Sequence, residues 1–148
     1  MVLPELEEQQ IQTLNVVKEI QIAAPPEIVF ESLLHPVGKF GEMKLRFEAW
    51  PGGRWFRDLG NNTGHLWGHV QVIKPPELLE LTGPMFMSYP VASHVQYRVT
   101  PQGGGSLLRM THKAIGLIPD EHLSGVQNGW QMLLDETKLD AEARAMRK

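Results

Sequence analysis

A chain of 148 residues, 42% apolar and 21% charged, has the size and balance of one globular domain, able to bury roughly 70% of its unfolded surface. Its net charge of −3 and pI near 6.1 supply no basic field for phosphates, so nucleic acid is not an expected partner. No run approaches the ~18 consecutive apolar residues of a membrane span, and the absence of cysteine removes disulfides, thiolate metal sites and a thiol nucleophile.

The N-terminus, MVLPELEEQQ, is acidic and lacks the apolar core of a secretory signal, so a cytoplasmic protein is expected. Residues 1–14 read as a loose arm and 15–148 as a single domain. From Asn15 to Ile22 the pattern alternates, with Val16, Lys18, Ile20 and Ile22 in one phase, which predicts a half-buried strand. Pro25-Pro26-Glu27 opens a short amphipathic helix over 25–34, since proline is tolerated in a first turn and Glu27 suits the positive helix end. Pro36 and Gly38 end it.

A run of strands follows. Met43, Leu45 and Phe47 alternate with charged residues, Pro51-Gly52-Gly53 makes a turn, and Arg54-Trp55-Phe56-Arg57 returns. Gly60-Asn61-Asn62 turns again into a long strand over 63–73, ended by Pro75-Pro76. ELLELT at 77–82 is the next strand, and GPMFMSYP at 83–90 reads as an apolar loop. Val95, Tyr97 and Val99 share one strand face. After Gly103-Gly104-Gly105, Leu108, Met110, His112 and Ala114 share another. From Asp120 to Met146 there is no proline, and good helix formers predict a long helix. Asp120 is its expected cap, with Ser124 and Gln127 as a rival capping box. Val126, Trp130, Leu133, Leu134 and Thr137 form one stripe.

This order gives an α+β fold in which a curved antiparallel sheet of about seven strands wraps a long C-terminal helix, with one or two short helices after the first strand. One helix cannot touch a twisted sheet everywhere, so a gap is expected between them. Met43, Met85, Met87, Met110 and Met132 are expected around it, as flexible side chains suited to a pocket or to plain core filling. Gly125 and Gly129 are unfavourable inside a helix and are read as places where another backbone approaches closely.

The motifs Ala24-Pro25-Pro26-Glu27-Ile28-Val29-Phe30, Pro51-Gly52-Gly53-Arg54-Trp55-Phe56, Gly68-His69-Val70 with Pro75-Pro76-Glu77-Leu78-Leu79, Gly105-Ser106-Leu107-Leu108 with Thr111-His112, and Gly129-Trp130 with Leu134 stand in one order. On these residues the chain, over about 15–139, resembles the heat-shock-protein-90 ATPase activator-like family. That family is a branch of the START and birch-pollen-allergen (SRPBCC) superfamily. The resemblance implies the helix-grip fold and a hydrophobic pocket rather than a shared reaction. The chain has Phe40 where the family commonly has tryptophan, so the pocket mouth is expected to differ there.

The expected ligand-facing residues are Met43, Phe47, Met85, Tyr97, Met110, His112, Val126, Trp130 and Leu134, holding a small apolar or aromatic molecule. His112 has two readings: a polar group for the ligand, or a structural imidazole bonded to a neighbour. Arg46, Glu48, Arg54, Arg57 and Asp58 are read as a salt-bridge lattice or as a polar pocket rim. His65 and His69, four apart on a strand, lie about 13 Å from each other, too far to share a metal ion. No cofactor or metal is expected, and no nucleophile arrangement stands out. The leading functional reading is a hydrophobic-ligand binder. The alternatives are a cyclase-, hydrolase- or isomerase-type enzyme using the same pocket, and a chaperone-ATPase-activating interaction module acting through its surface, such as the acidic Glu5, Glu7 and Glu8. A homodimer would use the sheet edge or Trp50.

Overall fold

The first alternating segment forms β1 (Gln12–Ile22), paired antiparallel with the last strand from Gln12↔Gly116 to Ile22↔Ser106. It begins at Gln12 rather than Asn15 because Thr13 and Leu14 find partners in Ile115 and Ala114. The computed structural model describes residues 10–147, so the expected acidic arm with Glu5, Glu7 and Glu8 lies outside the described residues. Helix α1 (Pro26–Leu34) follows, with Pro25 as its extended N-cap. A second short helix, α2 (Gly38–Glu42), comes next.

The strands are β2 (Leu45–Phe47), β3 (Arg54–Gly60), β4 (Thr63–Lys74), β5 (Leu78–Gly83), β6 (Val91–Gln102) and β7 (Gly105–Gly116). They form one antiparallel sheet of order β1-β7-β6-β5-β4-β3-β2. Met43 is not in β2, as the alternation suggested. It caps α2, where its amide bonds the Lys39 carbonyl. Bulges interrupt β3 and β4, which is why simple parity fails there. Gly68 and Gly83 let β4 and β5 crowd together: a Cβ on Gly83 would stand 2.5 Å from the Gly68 Cα.

Helix α3 (Asp120–Met146) lies over this sheet, giving the helix-grip fold. Its start falls at Asp120 as expected, but the cap is Pro119, and the Asp120 carboxylate instead accepts a hydrogen bond from Gln12 Nε2. Side chains moor the helix along the edge strand. Gln12 Nε2 also bonds the Ile118 carbonyl, Lys138 Nζ donates to the Gln21 carbonyl, and the Ala23 amide donates to Glu142. The Glu142 carboxyl is held below its ordinary range by the Ala23 amide and by Lys138.

Inward-facing Leu14, Val16, Ile22, Val95, Tyr97, Val99, Leu108 and Met110 fill the core with Trp130, Leu134 and Phe30. Met132 is the exception among the anticipated inward methionines. It is 40% exposed, because two helix positions beyond Trp130 is a rotation of about 200° to the far face. No helix among the described residues is long and apolar enough to cross a membrane.

Candidate functional site

Because α3 is tied to β1 at one edge of the sheet, the opposite strands must curl around to meet its N-terminal half. They do so incompletely. A cavity of about 450 Å³ remains, lined by Phe40 and Met43 beside α2, Trp55 on β3, Trp67 on β4, residues 86–89 of the β5–β6 loop, and the face of α3 carrying His122, Val126 and Trp130. The loop is pinned to the sheet by the Met85 amide, which bonds the Trp67 carbonyl at 2.7 Å.

Ring side chains dominate this wall. Trp55 meets Trp67 edge-on at 5.0 Å between centroids, Trp67 meets Phe86 at 5.7 Å, and Phe86 meets Trp130 at 5.8 Å. Such tilted contacts are favoured by the aromatic quadrupole. Phe86 is 37% exposed, unusual for so large an apolar side chain inside an aromatic row. The polar side chains on the wall are Ser88, Tyr89 and His122, and the Tyr89 hydroxyl lies 3.0 Å from His122 Nδ1. Partial burial raises the Tyr89 pKa.

Behind the wall sits a buried polar relay. The Trp130 indole N–H donates to His112 Nδ1 at 2.8 Å, and His112 Nε2 lies 3.0 Å from Ser93 Oγ. An indole nitrogen can only donate, so Nδ1 must be the acceptor and the imidazole proton sits on Nε2, donated to Ser93. The ring is thus neutral with both nitrogens engaged, and burial pushes its pKa down to about 4. This is the structural-imidazole arrangement.

Of the nine anticipated residues, Met43, Val126 and Trp130 line the cavity. Met85, Tyr97, Met110, His112 and Leu134 are buried in the core and are not part of its wall. Phe47 lies against Trp55 at 6.1 Å but faces a different, more polar groove. There the charged cluster of β2 and β3 pairs off: Arg46 with Asp58 at 3.1 Å, and Arg54 with both oxygens of Glu48 at 2.8 Å. That pairing holds the Glu48 carboxyl near 2, chiefly through the Arg54 side chain and amide. His65 and His69 are exposed, and no group of metal-binding side chains occurs among the described residues.

Trp55, Trp67, Phe86 and His122 were not anticipated. The apolar loop around Phe86 was a visible signal; the tryptophans stand next to bulges, which hid their facing. Gly125 and Gly129 also differ from expectation. No backbone approaches them: a Cβ built on either would meet nothing within 4 Å, and both border the cavity.

No curated protein matches the chain. Among solved structures it is similar to an uncharacterised protein of Rhizobium leguminosarum, with 18% identity over 90% of this chain and 97% of that one and a TM-score of 0.71. It is also similar to CalU16 of Micromonospora echinospora, with 20% identity over 93% and 88% of the two chains and a TM-score of 0.62. A third is the Aha1 dimer of Colwellia psychrerythraea, with 17% identity over 87% and 96% and a TM-score of 0.62. At these identities the likeness speaks for the fold alone. The family model for activator of Hsp90 ATPase homolog 1-like proteins matches residues 23–142, from just after β1 to the end of the moored part of α3. By that match over most of its length, the chain belongs to the activator of Hsp90 ATPase homolog 1-like family.

Proposed function

We propose that the protein binds a small apolar or aromatic molecule between the N-terminal half of α3 and the β3–β4 side of the sheet. One observation carries this reading: a cavity of about 450 Å³ walled by Trp55, Trp67, Phe86 and Trp130, with few polar side chains. Its size falls within the ~300–1,000 Å³ of small-molecule pockets, and its lining has the expected mix of apolar walls and sparse polar groups. Family membership favours ligand binding in general and selects no ligand. The test is native mass spectrometry of the protein as purified, together with melting curves over fatty acids and aromatic polyketides. A true ligand at a hundred times its Kd stabilises by about 2.7 kcal/mol, or about 5–10 °C in a chain of this size. If no compound moves the curve and no guest copurifies, the proposal is wrong.

A catalytic use of the same cavity has one observation in its favour, the Tyr89–His122 contact on the wall. His112 is the poorer base, since both its nitrogens are already bonded. Loss of turnover in Tyr89→Phe, on a compound that still binds, would support this reading; unchanged turnover would remove it.

A further inference from the structure

Twelve of the chain's 14 glycines answer to a demand of the backbone. Seven have φ between +56° and +154°, and a Cβ on each of the other five would come within 3.0 Å of a neighbouring backbone atom, as at Gly53, 1.9 Å from the Glu48 carbonyl oxygen. Gly125 and Gly129 answer to neither. They are helical residues with open space where the Cβ would stand, in a helix that glycine weakens more than any residue but proline. They sit one turn apart, about 6 Å along the axis, and both face the cavity.

We infer that Gly125 and Gly129 are specificity-determining residues, keeping a strip of helix backbone bare so that a flat aromatic ring system can lie against it. This rests on the ligand-binding reading above and names the ligand class. The rings across the cavity favour that class: Trp55, Trp67, Phe86 and Trp130 already meet edge to face, and a planar guest extends the same packing. Ser88 and Tyr89 offer partners for a polar substituent on its rim. A flexible alkyl chain can route around an added methyl group. A rigid plane cannot, so the bare strip matters to a plane alone.

The experiment compares wild type, Gly125→Ala, Gly129→Ala and the double variant, using anthracene-2-carboxylate and dodecanoate as probes. Without probe, each alanine should raise Tm by about 2–4 °C, because it removes the helix penalty and meets no neighbour. Wild type should bind anthracene-2-carboxylate, the double variant about tenfold or more weakly, and dodecanoate should be little affected. Equal affinity of wild type and double variant for the anthracene probe overturns the inference. So does wild-type binding of dodecanoate alone, which leaves the ligand-binding reading standing. If wild type binds neither probe and the wider panel also fails, both readings fall together.

Discussion

Mild acid should destabilise this protein through His112. Burial lowers the imidazole from 6.5 to about 4, so the folded state binds fewer protons than the unfolded chain below pH 6.5. The stabilisation from the neutral ring is therefore complete above pH 6.5, is lost as the pH falls toward 4, and changes no further below that. Linkage gives a loss of about 2 kcal/mol between pH 7 and pH 5, and roughly 3 kcal/mol by pH 4. The carboxylates with lowered pKa, Glu48, Glu80 and Glu142, have the opposite window: their stabilisation holds above their ordinary range near 4.5 and fades below it. The interval from pH 7 to 5 thus isolates the histidine. Urea unfolding at pH 7, 6 and 5 measures the slope, with His112→Gln as the reference. Glutamine can accept from the Trp130 indole and donate to Ser93, preserving the relay's polarity without a titrating group. Wild type should lose stability across this interval and His112→Gln should stay nearly flat. Parallel slopes for the two proteins would refute the assignment of the buried neutral imidazole.

Gly53→Ala should destabilise the β2–β3 hairpin by at least about 1–3 kcal/mol, since its Cβ would meet the Glu48 carbonyl at 1.9 Å and the backbone must yield; chemical denaturation that finds Gly53→Ala as stable as wild type contradicts this packing. Arg54→Ala should raise the Glu48 carboxyl from about 2 toward the ordinary carboxylate range, with the remaining backbone amide keeping part of the depression. An NMR titration of the Glu48 side chain reads the shift directly, and an unmoved titration would mean the bidentate pair does not form in solution.

The element order was legible because its causes are local. Alternation along β1, β6 and β7 marked one face of each strand, and burial of Val16, Tyr97 and His112 follows that phase. The glycine and proline turns, the short helix behind Pro25-Pro26 and the long proline-free helix depend on propensity and backbone sterics over a few residues. The cavity wall was far less legible. Trp55 and Trp67 adjoin register shifts or crowded glycines in β3 and β4, and a bulge breaks the parity on which facing is judged. Met43 was displaced from its expected strand by one short helix whose hydrogen bonds could be read only from the folded chain.

Sequence alone thus determined the order of the elements and, along β1, β6, β7 and α3, most of the residues that leave water. Tertiary structure decided which of those residues meet each other and which border empty space. It turned His112 into a partner of Trp130 and Ser93, and left Gly125 and Gly129 facing open volume instead of another backbone. The physical reason is range. Propensity and periodicity act over a few residues, whereas the gap beneath α3 arises from mooring that helix to β1 while strands four and five places away across the sheet curl to reach it.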